Sequence, residues 1–297
     1  MALTDSILNY RRYVKRKNFS PHTVKNYLHS LKDFVLWLDV PLEEVRSRKI
    51  SQYIDFLLRR RLSAKTINCH LHRVRQFYDY LLQEEGVAGA NPVKKDHALR
   101  MSRPLPKSLK DEDLRALFRE INNRRDRAMF MLMLRCGLRV EEVAKLNFDV
   151  IEFRRRTVMI LDPKWGKDRI VYLSDDALTA LLDYLEVRPV STVTRVFLVE
   201  KGTYRGNPLS IRGIQKRMEY YARRAGLSVC CHHLRHTMAT HMLNAEAELT
   251  TVQDLLGHTW ITTTQRYCRL SNQKVRSDYF KAVAVVMQKT GAETFKP

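Results

Sequence analysis

The side chains of this sequence best suited to chemistry lie in five short stretches of its C-terminal two thirds. Arg139 follows a Gly-Leu step in CGLRVEEVAKL, at a predicted helix start, and Lys164 and Lys167 lie in PKWGKDR, between two β-like runs. His232 and Arg235 stand three apart in CHHLRHTMATHML, which puts them on one helical face. His258 ends LLGH, and Tyr267 ends TTTQRY nine residues later. Singly, each has an ordinary explanation: a surface arginine, a helix-capping histidine cluster, a packed tyrosine. Together, two arginines, a lysine, two histidines and a tyrosine are the set that in-line attack on a phosphodiester needs without a metal. Guanidinium groups bind the non-bridging oxygens bidentately and offset the charge of a pentacovalent transition state. Imidazoles add hydrogen bonds and proton handling, and a lysine on a hairpin tip can protonate a leaving 5′ oxygen. A phenol, with a pKa near 10 in water, becomes a nucleophile where neighbouring cations favour its phenolate.

The pattern around these residues predicts the elements that must hold them. Ser108 is expected to cap a helix through Ile121, followed by an apolar helix Arg127–Cys136 that stops at Gly137 and a further helix Val140–Leu146. Runs Thr157–Leu161 and Ile170–Leu173 read as a hairpin, and VFLV at Val196–Val199 as a short strand. A helix over Asp175–Leu185 follows the hairpin, and the remainder is mainly helical. The N-terminal part is different. Ser20 and Pro21 open a helix with the stripe Val24, Tyr27, Leu28, Leu31, Val35, Leu38, and Ser63 opens one with Ile67, Leu71, Val74, Tyr78, Leu81. Shorter helices over Thr4–Val14 and Ile50–Leu57 complete a small helical bundle. The expected fold is mainly α with a small antiparallel β-sheet. Its expected organisation is a helical DNA-binding domain at 1–85, a basic linker at 86–106 that could strap across a duplex, and a mixed catalytic domain at 107–297.

Charge narrows the partner. The 297 residues hold 53 Lys and Arg against 32 Asp and Glu, a formal net charge of +21. The excess is densest over residues 1–103, with 20 basic and 10 acidic side chains. Such a surface fits a polyanion bound with counterion release. Lys25, Asn26, His29, Lys65, Asn68, Arg73 and Arg75 are the candidates for phosphate contacts on the N-terminal helices, with Lys167 on the hairpin. No apolar run is long enough for a membrane span and the N-terminus lacks a signal-peptide pattern, so a cytoplasmic, nucleoid-associated protein with reduced thiols is expected.

Zinc is the first rival, since His232, His233, His236 and His241 crowd beside Cys230 and Cys231, yet no C-x-x-C pair is present. With no G-x-x-x-x-G-K-[ST] either, neither nucleotide hydrolysis nor any cofactor or metal is expected.

The ordered set GLRVEE, PKWGKDR, HHLRH, LLGH and TTTQRY closely resembles the tyrosine recombinase (phage integrase-like) family, in its Xer-type or transposon-encoded members, over essentially the whole chain. The resemblance implies that Arg139 and Arg235 grip the scissile phosphate, His232 and His258 assist them, Lys164 is the hairpin lysine, and Tyr267 attacks to form a 3′-phosphotyrosyl link. Glu142 matches an acidic residue that orients the first arginine. It further implies a clamp of two domains on double-stranded DNA bearing a specific recombination site. A homotetramer on two sites, alone or beside a paralogous recombinase, would pass through a Holliday junction, and the apolar tail Phe280–Met287 would dock on a neighbouring subunit. The alternatives are a type IB topoisomerase-like nicking-closing enzyme and a non-catalytic DNA-binding regulator.

Overall fold

The computed structural model describes residues 3–101, 107–161, 168–258, 263–265 and 279–285. Backbone contacts divide the chain into two compact units, Met1–Arg103 and Pro104–Pro297.

The first unit is built from α1 (Leu3–Arg16), α2 (Pro21–Trp37), α3 (Ser47–Arg59) and α4 (Ala64–Gln83), with α2 and α4 as the main packed pair. Ser20 and Ser63 cap α2 and α4 as their positions predict, accepting from the Thr23 and Thr66 amides at 3.2 Å. Phe34, Tyr53, Ile67, Val74 and Phe77 are fully buried between the helices. Each such side chain contributes roughly 1.5–3 kcal/mol of transfer free energy. The Phe34 and Tyr53 rings meet edge to face at 5.0 Å.

The segment after α4, read from its glycines and prolines as a linker, is packed where it is described. Asn91 donates to the Arg75 carbonyl at 2.9 Å and to Asp79 at 2.7 Å, and Val93 is buried in the helical core. Farther on, the Asn68 amide pairs with both backbone groups of Leu99 at 2.9 Å. Gly and Pro announce irregular backbone there, while the polar side chains of α4 supply the hydrogen bonds that a helix ladder would otherwise give.

The second unit comprises α5 (Asp111–Glu120), α6 (Arg124–Arg135), α7 (Val140–Lys145), β1 (Ile151–Glu152), β2 (Thr157–Ile160), β3 (Arg169–Tyr172), α8 (Asp175–Val187), α9 (Ile211–Arg224), α10 (Cys231–Asn244) and α11 (Leu249–Leu256). Helix α6 is buried on all sides from Ala128 to Leu134 and is packed against α8 and α10. It begins three residues earlier than its apolar pattern suggests, because Asn123 accepts the Asp126 amide at 2.9 Å and buried Arg125 is neutralised by Asp126. Helix α5 starts after Lys110, not Ser108, with Asp111, Glu112 and Asp113 facing the positive end of its dipole.

The sheet is antiparallel in the order β1-β2-β3, in the register Ile151↔Val158, Thr157↔Tyr172 and Ile160↔Arg169. Val158, Ile160 and Val171 face the core, and Met159, Ile170 and Tyr172 face outward. The VFLV segment is not a strand of this sheet. Leu198 makes an isolated bridge with Pro208, which has no N–H to extend a ladder, and its own amide donates to the Tyr184 hydroxyl at 3.1 Å. Among the described residues no helix is long and apolar enough to cross a membrane.

Candidate active site

Helix α6 ends in a turn at Gly137, whose φ of +66° is left-handed, and the chain re-enters helix at α7 with Arg139 as its N-cap residue. Glu142, in the first turn of α7, reaches back: one carboxylate oxygen accepts the Arg139 amide and the other the Arg139 Nη1, both at 2.7 Å. The same carboxylate accepts a fork from Arg169 at the start of β3, Nη1 at 2.9 Å and Nη2 at 2.7 Å. Burial pushes the Glu142 pKa up, but Arg169 and then Arg139 overcome this and hold it at about 2. It is a carboxylate throughout the working pH range.

Arg235 comes from α10 and is 1% exposed. Its Nη1 donates to the Gly137 carbonyl and its Nη2 to the Leu256 carbonyl at the end of α11. Arg139 reaches the same place, its Nη2 donating to Leu256 O at 3.4 Å and Gly257 O at 3.5 Å. Two guanidinium groups from elements about a hundred residues apart therefore meet at one helix C-terminus, whose unsatisfied carbonyls carry partial negative charge.

His258 follows directly, after Gly257 ends α11 in the left-handed region at φ +61°. Its Nδ1 is 2.9 Å from the buried hydroxyl of Thr264, and its backbone amide donates to Gln253 O at 3.1 Å. Burial, followed by the charges of Arg235 and Arg139, lowers its pKa to about 3, so the imidazole is neutral. His232, one turn before Arg235 on α10, stands at the exposed rim with its ring 4.3 Å from that of His236. Partial burial, Arg235 and Arg139 lower its pKa as well. Arg139, Arg235, His232 and His258 are thus brought together, and Glu142 stands behind Arg139. Two cations beside two imidazoles of lowered pKa have the chemistry to hold an oxyanion.

The remaining histidines disperse. The His233 Nδ1 accepts the Cys230 amide at 3.3 Å, closing the start of α10, and His241 lies 3.2 Å from Asp111. No cluster of metal-ligating side chains occurs among the described residues. Lys164, Lys167 and Tyr267 lie outside the described residues.

On the N-terminal unit, Lys25, His29 and Lys65 are exposed, and Asn26 and Arg75 half-buried. Asn68, half-buried, spends one N–H and its carbonyl oxygen on the backbone of Leu99 and so clasps that segment to α4. Arg73 spends one N–H on the buried Ser30 hydroxyl at 2.7 Å, tying α4 to α2. Sequence reasoning overlooked Arg169 and His236 as members of the site. The signal for Arg169 was its place in the alternation Arg169, Val171, Leu173, which makes it an inward-facing arginine.

Residues 107–274 match the phage integrase family, and residues 7–86 match the phage integrase N-terminal SAM-like domain. The XerC tyrosine recombinase of Shewanella sp. (strain W3-18-1) is 36% identical over 284 residues, covering 92% of each chain. A lambda integrase dimer bound to a COC′ core site has the same fold, with a TM-score of 0.76 at 18% identity over 90% of this chain and 95% of that one. A lambda integrase tetramer bound to a Holliday junction superposes with a TM-score of 0.72 at 18% identity, over 88% of this chain and 78% of that one. The chain belongs to the phage integrase family, the tyrosine recombinases. Within it the chain is of the Xer type, an enzyme of site-specific recombination that cleaves and rejoins DNA.

Proposed function

We propose that Tyr267 is the nucleophile and that Arg139, Arg235, His232 and His258 form the pocket that receives the scissile phosphate. The observation that carries this is the meeting of Arg139 and Arg235 at the Leu256 carbonyl, beside a His258 kept neutral by burial and then by both. The tyrosine oxygen, its proton released to solvent, bonds to phosphorus as the bond to the 5′ oxygen breaks, and Lys164 gives that leaving oxygen a proton. The 3′-phosphotyrosyl link conserves the energy of the broken strand. Attack by a 5′-hydroxyl from a partner strand then releases Tyr267 and rejoins DNA without a nucleotide cofactor. His258 accepts or donates at a phosphate oxygen as a neutral group, while the permanent positive charge comes from the arginines.

The same reading gives a clamp of two domains, with Lys25, His29 and Lys65 tracking phosphates. Four subunits act on two sites through a Holliday junction, alone or beside a paralogous recombinase, in the cytoplasm on the nucleoid. The lambda integrase assemblies support this reading, as does the helical segment 279–285, exposed at every position but half-buried Val283, whose Tyr279 and Phe280 are 60% and 58% exposed and suited to docking on a neighbour. A two-site plasmid incubated with the protein and a chelator tests it: recombinant circles are expected, and relaxation without exchange would contradict it. For Lys164→Ala, a 5′-bridging sulfur substrate should restore most of the lost cleavage rate, because a thiolate leaves without the proton. Rescue confined to Lys167→Ala would make Lys167 the acid.

A further inference from the structure

Arg169 is 8% exposed, and its side chain joins three parts of the site. Its fork holds both oxygens of Glu142, and its Nε donates to the Leu255 carbonyl at 2.8 Å. Leu255 precedes the Leu256 and Gly257 carbonyls that receive Arg139 and Arg235, and then His258. The stem of Arg169 passes so close to Gly257 that a Cβ there would lie 3.0 Å from its Cδ, so the glycine of LLGH is required by Arg169 as well as by its own φ of +61°. Its backbone also forms the last registered pair of β2 and β3, Ile160↔Arg169. One guanidinium thereby ties the hairpin to the carboxylate behind Arg139 and to the helix end that presents His258.

We propose that Arg169 is a positioning residue for DNA cleavage, acting through Glu142 on Arg139 and through the Leu255 carbonyl on His258. This rests on the phosphate-pocket reading above. An arginine is required because the contact is a planar fork with a third donor, which an ammonium group cannot reproduce. The groups that set the ionisation of Glu142 are Arg169 from β3 and Arg139 from the start of its own helix. Without Arg169, burial dominates and Glu142 titrates at a higher pH. Below that point the protonated carboxyl loosens its grip on Arg139.

The test uses the full chain and a nicked suicide duplex bearing its recombination site, with single-turnover cleavage followed from pH 5 to 9 beside duplex affinity. Arg169→Ala is expected to cleave about 100-fold more slowly, the loss that a misplacement near 1 Å brings, with affinity for the duplex within about threefold of native. Its rate should fall toward acid pH where the native rate does not, and Glu142→Gln in the same chain should remove that acid limb without a further loss of rate. Arg169→Lys, which keeps the charge, should fold as the native chain does and cleave about tenfold more slowly without an acid limb. A native rate in either variant overturns the proposal, as does a slowed Arg169→Ala with an unchanged pH profile and an effect that multiplies with that of Glu142→Gln. Failure of the native chain itself to cleave would overturn the phosphate-pocket reading instead.

Discussion

Glu142 is a largely buried carboxylate held by four N–H donors, and its removal leaves two guanidinium groups without their anion. Glu142→Gln should destabilise the second unit by about 3 kcal/mol, the usual cost of breaking a buried ion pair on one side, and urea unfolding of the full chain checks it. The pH dependence follows from the two shifted groups. The folded pKa of Glu142, about 2, lies below its ordinary 4.5, so its contribution is full above pH 4.5 and is lost as pH falls toward 2. The His258 pKa, about 3 against an ordinary 6.5, is also depressed. Between those values the unfolded chain binds a proton that the folded chain refuses, so stability falls as pH drops below 6.5. In His258→Asn the fall between pH 6.5 and 5 should be shallower. An equal slope in the two proteins would mean that His258 is not held neutral.

At the scale of elements, the four described side chains proposed for the phosphate pocket are set at a helix end or in its first turns: Arg139 at the start of α7, His232 and Arg235 in the first turns of α10, His258 just past α11. Local signals made these elements legible. The caps Ser20 and Ser63, the turn at Gly137 and the i,i+3 spacing of His232 and Arg235 are written in a few adjacent residues, and the structure reproduces them. The clasp of Asn68 and the role of Arg169 are not visible in the sequence because their partners, Leu99 and Glu142, lie 31 and 27 residues away. Periodicity shows which face a residue occupies, but not which distant group satisfies its hydrogen bonds. The start of α6 was misplaced for a related reason: Arg125 and Asp126 look like solvated polar residues until their mutual pairing is seen. The two kinds of N-terminal residue should separate in salt titrations of duplex binding. Lys65→Ala should lower the slope of log affinity against log salt by about 0.9, the contribution of one phosphate contact. Asn68→Ala should leave that slope unchanged, while limited proteolysis cuts faster near Leu99, where two hydrogen bonds are lost.

For the whole molecule, the charge of +21 and the site chemistry point to one polymer, DNA. The charge gives affinity without regard to sequence, whereas the site allows one bond to be broken and remade. A surface change such as Lys25→Ala is therefore expected to weaken binding at all sequences alike and to leave the cleavage rate of bound complex intact, as gel-shift and single-turnover assays would show. Arg235→Ala should do the reverse, since Arg235 is buried in the proposed phosphate pocket and many other cations remain for the backbone. The most direct measurement of the account is the identity of the residue joined to DNA. The protein trapped on a nicked suicide duplex, digested and sequenced by mass spectrometry, should carry a 3′-phosphate-linked nucleotide on Tyr267 and no adduct in Tyr267→Phe. A covalent link on any other side chain, or an adduct that survives the phenylalanine substitution, would contradict it.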